Sequence, residues 1–548
     1  MKTKNNNKTN KDILLQIVKE ILSLKNPSEQ DISKIMCKHP SVETTMFSKS
    51  QIINLFKHYK KELNLSNTNE KYFLSLIRMK KVRTLSGVTP VMVLTKPYPC
   101  PGNCIYCPND PNMPKSYISS EPGAQRAYSN KFDPYLQVFN RLVAYKNIGH
   151  STDKVELIIL GGTWSYYPKS YQIWFIKRCF DAMNDFTSKS TKYITKSLLD
   201  KKCSWKSLMN AQKENETAKT RCVGLVVETR PDYITKDEVI KLRKLGATKV
   251  QIGVQSLNNS VLKLNNRGHN VESTANAFKL LRMGGFKIHA HWMPNLLGSD
   301  PKEDISDFKK LFSDKRFKPD ELKIYPCSLI QNTKLFDYYN KGKWKPYTEK
   351  QTLNVLTKCF LLTPRYCRIT RVIRDISSED IFAGNKKSNF RQIVEKSIEE
   401  SGKRIVEIRS REIKNEEINH QDLVLNITSY DTSSSTEYFL EYITKGDKIV
   451  GFLRLSLPRS NISNFIKELN NSAIIREVHV YGQTLGIGDE EKGKAQHSGL
   501  GKRLIQKAIE ISKDNKYSRL SVISSVGTRL YYRNNGFKDG VLYQHLDL

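Results

Sequence analysis

The chain has 548 residues and a mass of 63.2 kDa, which is too long for one hydrophobic core and predicts two or three domains. Its apolar content of 38% and mean hydropathy of -0.53 predict a soluble, cytoplasmic protein, and no apolar run approaches the ~20 residues that span a bilayer. The basic start MKTKNNNKTNKD lacks an apolar stretch, so we expect neither a secretory signal nor membrane association.

Positive charge dominates the composition. Lys and Arg number 90 against 55 Asp and Glu, a formal net charge of +35. Such an excess attracts polyanions, among which nucleic acid is the usual partner. A Lys- and Asn-rich chain can also reflect biased composition, and charge alone leaves that alternative open.

Residues 1–75 are predicted to form a basic helical region, because apolar residues between positions 13 and 22 recur on one helix face. The stretch RMKKVRTLSG follows, just before a predicted strand. Its basic side chains are candidates for phosphate contacts, although such clusters are usually only solvated. These candidates are Arg78, Lys80, Lys81 and Arg83.

From residue 76 to about 375, short apolar strands alternate with helical segments. This alternation predicts a parallel sheet, either open or closed into a barrel. The Lys-rich segment 187–221 is weakly patterned and is predicted to be a surface insertion. The predicted strands are PVMVLT, VELIIL, CVGLVVE, KVQIGVQ, KIHAHWM and ELKIYP, and the predicted helices include Pro134 to Ala144, Lys236 to Leu245 and Glu272 to Met283.

Three of the ten cysteines cluster just after the first predicted strand, in CPGNCIYC. Cys100, Cys104 and Cys107 can ligate three irons of a [4Fe–4S] cube and leave the fourth open to the amino and carboxylate groups of S-adenosylmethionine (SAM). One electron then cleaves the sulfonium and releases a 5′-deoxyadenosyl radical. The alternative is a zinc knuckle, but zinc prefers a fourth ligand and the loop holds no further Cys or His.

Residues at the ends of later strands suit SAM. Gly161, Gly162 and Thr163 follow VELIIL, where a backbone without side chains can approach a ligand closely. Glu228 and Gln255 end two further strands and suit the ribose and the mouth of a barrel. A plain turn at the glycines, and structural hydrogen bonds for the polar pair, are the alternatives.

A charged, helical connector is predicted over 376–420, and residues 421–548 are predicted to form a separate small α/β domain. LVLNIT, EYFLEYIT and IVGFLRLSL predict an antiparallel sheet. The pattern Q-x-x-G-x-G at 496–501 opens a helix, where backbone N–H groups and the helix dipole suit a pyrophosphate. REVHVYG before it, and SVISS and TRLYYRNNGF after it, follow the order of GCN5-related acetyltransferases, which favours acyl-CoA binding over a tight turn.

This second domain supplies candidate catalytic residues. The backbone amides from Glu477 to Val480 are expected to meet pantetheine and polarise the acetyl carbonyl. Glu477 and His479 can activate water or an amine, and Tyr532 sits where such domains place a hydroxyl near the thioester sulfur. Glu477 and His479 can equally be ordinary strand residues.

A radical SAM loop and an acetyltransferase loop rarely occur in one chain. Together with RTLSGV, EPGAQRAYSNKFDPY, ETRPDY, NRGH, REVHVYG and QHSGLG, they make the chain from about residue 78 resemble the catalytic subunit of Elongator. The resemblance implies a radical SAM partial (βα) barrel followed by a GCN5-related N-acetyltransferase-like α/β domain. It also implies a tRNA carboxymethyluridine synthase, in which the adenosyl radical takes hydrogen from the acetyl-CoA methyl, the carbon radical adds to C5 of the wobble uridine, and hydrolysis leaves a carboxymethyl group.

The resemblance also assigns residues by motif. It makes the three cysteines cluster ligands and implies tRNA binding across both domains. Lys154, in the radical domain, is implied to steady CoA or its acetyl group between the two sites. The implied acetyl-CoA contacts are Lys154, Glu477, Val478, His479, Val480, Gln496, Gly499, Leu500, Gly501, Lys502 and Tyr532.

The C-x3-C spacing is more compact than in many eukaryotic members. It suggests a prokaryote-like chain that works without other Elongator subunits, while association with such subunits or with itself is left open. The main alternative function is a protein lysine acetyltransferase with a structural iron–sulfur domain, although a basic surface would repel Lys-rich tails. A non-catalytic tRNA-binding scaffold is disfavoured because both ligand loops are intact.

Overall fold

The computed structural model of the chain describes residues 9–40, 47–59, 62–79, 84, 86–187, 190, 192–196, 203–414, 419–481 and 499–548. Within these ranges the chain forms an amino-terminal helical bundle, a seven-stranded parallel sheet with its helices, and a second seven-stranded sheet.

Four short helices form the bundle. Thr9, Ser28 and Ser48 begin the first three helices, each in a capping box that satisfies free backbone N–H groups. The predicted apolar face of the first helix is confirmed, and the rings of Phe56 and Phe73 stack with centroids 4.7 Å apart in the shared core. The helices are α1 Asn10–Ser23, α2 Glu29–Lys38, α3 Lys49–His58 and α4 Asn67–Ile77.

The first sheet is parallel and curls into a half-barrel, as the strand–helix alternation predicted. Its strands run in the order β1-β2-β3-β4-β5-β6-β8, so β1 and β8 form its two edges. All six predicted strands are confirmed. The strands are β1 Thr89–Leu94, β2 Lys154–Leu160, β3 Arg221–Thr229, β4 Lys249–Gln255, β5 Lys287–Trp292, β6 Glu321–Ile324 and β8 Arg368–Val372, with β7 Leu329–Ile330 and β9 Ile381–Ala383 pairing separately.

Helices cover the outside of the half-barrel, and the predicted helices after β1, β3 and β4 are confirmed. The segment 187–221 differs from its prediction, because it contains helix α8, whose Leu208 and Ala211 are buried. Within the described ranges, no helix is long and apolar enough to cross a membrane. The helices are α5 Pro122–Ser129, α6 Pro134–Asn147, α7 Lys169–Asp185, α8 Trp205–Asn215, α9 Lys236–Lys244, α10 Asn259–Leu264, α11 Val271–Met283, α12 Pro301–Ser313, α13 Leu335–Asn340, α14 Glu349–Leu362, α15 Phe390–Glu400 and α16 Ile408–Arg411.

The second sheet is mixed. The three predicted antiparallel strands are confirmed, and the pair β13–β14 is parallel. Helix α17 packs on β12 and β13. The strand order is β10-β11-β12-β13-β14-β16-β15. The elements are β10 Val424–Asp431, β11 Ser435–Ile443, β12 Ile449–Pro458, β13 Ser472–Val480, α17 Leu500–Asp514, β14 Arg519–Val522, α18 Arg529–Arg533, β15 Lys538–Asp539 and β16 Gln544–Asp547.

Buried charges join the two sheets. Arg476 on β13 holds Asp320 through two bonds of 2.6 and 2.8 Å, and its Nε donates to Glu437 Oε2 at 2.8 Å. Arg282 and Arg454 lie 3.5 Å from the same Asp320 carboxylate. Because these five side chains are buried and lie on both sides of the junction, they fix the orientation of one sheet against the other. We call them the interdomain network.

Candidate active site

The three-cysteine loop leaves the carboxyl end of β1 and lies at the mouth of the half-barrel. The thiols of Cys100, Cys104 and Cys107 are free, and Cys107 N–H donates to Cys104 C=O across a turn. In the described part of the chain, no three His, Cys, Asp or Glu side chains converge as ligands of one metal ion do. The ligands of a [4Fe–4S] cube bind different irons and therefore need not converge on one point.

Two buried arginines stand against this loop. Arg267 Nη1 donates to Cys104 Sγ at 3.6 Å, and a Cβ at Gly102 would lie 2.2 Å from Arg230 Nη1. Burial alone would raise the pKa of the Cys104 thiol, but the charge and hydrogen bond of Arg267 outweigh it and lower that pKa. The arginines thus favour the thiolate, which is the form that binds iron.

The predicted SAM residues surround the same mouth. Gly161 and Gly162 have φ values of 127° and 90°, and a Cβ at Gly161 would lie 1.9 Å from Thr95 Oγ1. Thr163 Oγ1 lies 3.7 Å from Cys100 Sγ. This turn requires glycine and brings bare backbone next to the cysteine loop.

Glu228 and Gln255 also reach the mouth. Tyr117 Oη donates to Glu228 Oε2 at 3.2 Å, and His291 Nδ1 lies 3.6 Å from its other oxygen. Gln255 adopts φ = 65°, a strained value outside glycine, and its buried Oε1 has no hydrogen-bond partner within the described residues. Such an atom needs a ligand or water to satisfy it.

Buried polar atoms that the chain leaves unsatisfied therefore collect beside the cysteines. Among the described residues they include Arg230 Nη1, Arg267 Nε, both ring nitrogens of His269 and Gln255 Oε1. Guanidinium groups suit a carboxylate, and amide and imidazole groups suit ribose or adenine. The residues present fit a [4Fe–4S] cluster with bound SAM, and their individual roles stay predictions.

Arg230, Arg267 and His269 were missed as site residues in the sequence reasoning, although they lie in the motifs ETRPDY and NRGH. Their position in the sequence could have identified them, because Arg230 directly follows β3 and the NRGH segment follows β4. Ligands of parallel α/β folds bind at the carboxyl ends of strands. Position gave no means, however, of telling which loop residues point inward.

The predicted acetyl-CoA residues lie at the opposite end of the half-barrel. Glu477 on β13 accepts from Arg454 Nε at 2.9 Å and is paired with Lys287 of β5. The β12–β13 pairing shifts register between Arg454 and Leu455, and such a bulge re-aims neighbouring side chains. Burial would raise the pKa of Glu477, but Lys287 and Arg454 outweigh it and lower that pKa.

His479 and Tyr532 border the same pocket. The His479 ring stacks on Phe452 with centroids 5.6 Å apart, and its buried Nε2 has no partner among the described residues. Burial lowers the pKa of His479 to about 4 and raises that of Tyr532. At neutral pH the site therefore holds a neutral imidazole and a neutral phenol beside the Glu477 carboxylate.

Helix α17 begins beside this pocket. Gly499 caps it with φ = 72°, and a Cβ at Gly501 would lie 2.5 Å from Tyr531 Oη and 4.0 Å from Val480 Cγ2. A helix N-terminus next to the end of β13 fits a pyrophosphate whose pantetheine runs along the strand. Leu500 is buried, Lys502 is exposed, and Gln496 lies outside the described residues.

The predicted cationic contacts are Lys154 and the basic cluster from Arg78 to Arg83. Lys154 begins β2 and is half-buried, whereas the lysines that line the pocket beside Glu477 and Tyr532 are Lys249 and Lys287 of β4 and β5. Arg78 Nε donates to Gly149 C=O at 2.9 Å. Lys80, Lys81 and Arg83 lie outside the described residues. The roles of Lys154 and of the basic cluster stay predictions.

A cavity of about 2100 Å³ fills the half-barrel and opens beyond its β8 side. Cys107, Glu228 and Gln255 line its upper part, and arginines and lysines outnumber acidic residues in its wall. The basic residues include Arg126, Arg141, Arg371, Arg374, Arg391, Arg404 and Arg409. Such a wall suits a polyanion that must reach the mouth of the barrel.

The sequence of this chain is similar to two family models and to several known proteins. Residues 98–312 match the Radical SAM superfamily, and residues 319–400 match the Radical_SAM C-terminal domain. The tRNA uridine(34) acetyltransferase of Methanocaldococcus infernus is 40% identical over 86% of this chain and 87% of its own length. Elongator complex protein 3 of Homo sapiens is 33% identical over 85% of each chain.

A solved structure agrees with these relatives. The archaeal Methanocaldococcus infernus Elp3 with N-terminus deletion (1-46) superposes with a TM-score of 0.71 at 36% sequence identity, over 84% of this chain and 99% of that chain. This agreement confirms the α/β fold with its radical SAM half-barrel, and the family implies a [4Fe–4S] cluster, SAM and acetyl-CoA as cofactors. The chain belongs to the family of the tRNA uridine(34) acetyltransferases and Elongator complex protein 3.

Proposed function

We propose that this chain is a tRNA-modifying enzyme that installs an acetyl-CoA-derived carboxymethyl group on C5 of the wobble uridine. The observation that carries the proposal is the placement of the two candidate pockets. The predicted SAM residues lie at one end of the half-barrel and the predicted acetyl-CoA residues at its other end. The names of the relatives supply the substrate, tRNA uridine 34.

The proposed chemistry is balanced overall. When bound, the cluster and SAM would supply a 5′-deoxyadenosyl radical, to which the acetyl methyl would give up one hydrogen atom. The carbon radical adds to C5 of uridine, and loss of a proton and one electron there returns the electron that started the reaction. Water then cleaves the thioester and leaves a carboxylate and CoA.

The chain's own residues have separate parts in this scheme. In this proposal the backbone from Glu477 to Val480 and the N-terminus of α17 hold the thioester arm, and Glu477 accepts a proton from the hydrolytic water. Glu228, Gln255 and the buried arginines orient SAM. The basic wall of the large cavity and the net charge of +35 attract the anticodon arm.

A protein lysine acetyltransferase is the alternative to exclude. Its substrate would have to reach a pocket that the base of the half-barrel covers, since Lys249, Lys287 and Glu321 form part of the pocket wall. We also propose that the purified chain is active without partner subunits.

Nucleoside analysis of tRNA tests the proposal. Cells that lack the protein should lose a carboxymethyl-type modification at position 34, and the purified chain with SAM, reductant and [13C]acetyl-CoA should restore it with the labelled carbon on uridine. The Cys104→Ala variant should restore none. Unchanged wobble nucleosides together with labelled acetyl-lysine on proteins would support the acetyltransferase instead.

A further inference from the structure

The strands of the half-barrel present polar side chains to its interior. Along β4, β5 and β6, residues such as Val250, Ile288 and Leu322 are fully buried in the hydrophobic core, while the alternate positions are polar. When side chains fill a barrel, bulky branched apolar residues dominate. The interior of this half-barrel is instead an open space lined by polar side chains, which we call the lumen. Its polar lining includes Lys249, Gln251, His289, His291, Glu321 and Lys323.

Three charged residues cross the lumen near its base. Lys249 Nζ lies 2.7 Å from Glu156 Oε1 and 3.0 Å from Glu321 Oε2. They belong to β4, β2 and β6, so each acidic residue is two strands away from the lysine. Burial would lower the pKa of Lys249, but the two carboxylates outweigh it and raise that pKa, so the side chain is cationic. We call these three residues the collar.

The collar borders both cavities of the site. The cavity of about 2100 Å³ extends from the collar to Cys107 and Gln255, beside the SAM residues. A smaller cavity of about 190 Å³ extends from the collar to Glu477 and Tyr532, beside the acetyl-CoA residues. All three collar residues line both cavities, as do Ser86, Val88, Arg368 and Tyr481, so the collar is the acidic–basic part of the boundary between them.

The smaller cavity is shaped and polarised for a ligand. Gly224 of β3 faces Glu156, and a Cβ there would lie 3.3 Å from Glu156 Cγ, so glycine leaves the space open. Ser524 lines this cavity and is only 2% exposed, and its Oγ has no hydrogen-bond partner among the described residues. His479 Nε2 is unsatisfied in the same wall. Buried donors of this kind suit a thioester carbonyl.

We propose that the collar is a gate in the base of the half-barrel through which the acetyl end of acetyl-CoA enters the lumen, and that Lys249 is its positioning residue. This inference rests on the proposed function, because only a reaction that joins both cofactors requires the passage. As the arm enters, the ammonium of Lys249 exchanges Glu321 for the thioester carbonyl oxygen, while Glu156 keeps it oriented.

The exchange leaves no carboxylate unpaired. Glu321 retains the ammonium of Lys287 at 3.4 Å, which avoids the cost of an isolated buried charge. Only the neutral arm has to pass, because the phosphates stay at the N-terminus of α17. From Lys287 the strand β5 runs 6 residues, about 20 Å, toward the predicted SAM residues.

Disulfide trapping tests the gate without relying on turnover. Ile158 on β2 lines the large cavity two residues beyond Glu156, on the SAM side of the collar. In cluster-loaded protein, an Ile158→Cys variant should react with the 2-pyridyl disulfide of CoA about tenfold faster or more than a Lys177→Cys control, each rate normalised to dipyridyl disulfide. Lys177 lies on the outer helix α7. Acetyl-CoA should slow the reaction at position 158.

Equal normalised rates at positions 158 and 177, or no protection by acetyl-CoA, would overturn the gate. A second variant, Lys249→Met, should cleave SAM as the parent does, yet at saturating acetyl-CoA it should transfer about tenfold less deuterium from deuterated acetyl-CoA to 5′-deoxyadenosine. Lys177→Met is its matched control. Undiminished transfer would also overturn the gate. If the parent transfers no deuterium while position 158 is trapped, the proposed function fails and the passage stands.

Discussion

Asp320 and Glu321 are neighbours in sequence, but they belong to two different buried ionic networks. Asp320 has 0% exposure and binds Arg476 of the second sheet within the interdomain network. Glu321 is the next residue along the chain, so its side chain points the other way, into the lumen, where it binds Lys249 of the collar. One network joins two domains, and the other borders two cavities.

The comparison shows that buried charge can serve two opposite purposes. Asp320 accepts bonds from Arg476 on both carboxylate oxygens and lies near two further arginines, so its position is fixed. Glu321 has two cationic partners, Lys249 and Lys287, beside open space. We infer that the first network supplies rigidity and that the second permits an exchange of partners.

The largest expected effect lies at the opposite end of the barrel from both networks. The Cys104→Ala variant should lose the [4Fe–4S] cluster completely. The loop offers only three cysteine ligands, and the cluster needs all of them. Its acetyl-CoA affinity should be unchanged, since that pocket lies beyond the collar. Iron quantification with electron paramagnetic resonance, and calorimetry with acetyl-CoA, measure the two.

Cys327→Ala is the matched control, because Cys327 also lines the large cavity but lies outside the three-cysteine loop. It should keep the cluster. A cluster that survives in Cys104→Ala, or stoichiometric zinc in the parent after reconstitution, would contradict the assignment of the loop.

The second prediction compares the two networks directly. Arg476→Met should lower the free energy of unfolding by about 3–5 kcal/mol, because it leaves Asp320 and Glu437 buried with weaker partners. Lys249→Met should cost clearly less, because its carboxylates adjoin a cavity that water can enter. Urea unfolding followed by tryptophan fluorescence measures both, and equal losses would break the distinction between the networks.

The third prediction concerns the unsatisfied groups at the barrel mouth. If Arg267 binds a carboxylate of SAM, Arg267→Gln should weaken SAM binding by a factor of about 10 to 100, the usual cost of losing a charged hydrogen bond. Equilibrium dialysis on cluster-loaded protein measures the affinity. Arg178→Gln is a suitable control, because Arg178 is also buried but binds Asp181 on the outer helix α7. An unchanged affinity for Arg267→Gln would remove this residue from the SAM site.

The smallest expected effect is a dependence of stability on pH. Burial lowers the pKa of His479 to about 4, below the ordinary value of about 6.5, so the unfolded chain takes up the proton first as the pH falls. Stability should therefore decline from about pH 6.5 towards pH 4. His479→Phe should make that decline shallower, as measured by melting temperature across this range, and parallel curves for parent and variant would refute the assignment.

Much of the fold could be predicted from the sequence, because the half-barrel strands are apolar runs separated by helices and turns. The exceptions have physical causes. β8 was missed because RITRV has only two apolar residues, Ile369 and Val372, in an edge strand that borders the basic cavity. Helix α8 was missed because only its side against α7, with Leu208 and Ala211, is apolar.

The candidate sites were predictable only where one segment carries the signal. The cysteine loop and the glycine loop are contiguous motifs, and both lie at strand or helix ends in the structure. The collar was not predictable, because Glu156, Lys249 and Glu321 are far apart in sequence and each reads as an ordinary polar residue within a strand. Arg267 and His269 lie within the motif NRGH, but their burial depends on packing that no local sequence pattern encodes.

The central claim is that one reaction uses both halves of the chain, and the fate of the acetyl methyl hydrogen tests it most directly. The cluster-loaded protein should be incubated with SAM, a reductant, tRNA and acetyl-CoA that carries a deuterated methyl group. We predict that mass spectrometry will find deuterium in 5′-deoxyadenosine and the same carbon on the wobble uridine. Unlabelled 5′-deoxyadenosine, with label recovered only in acetyl-lysine, would contradict the account.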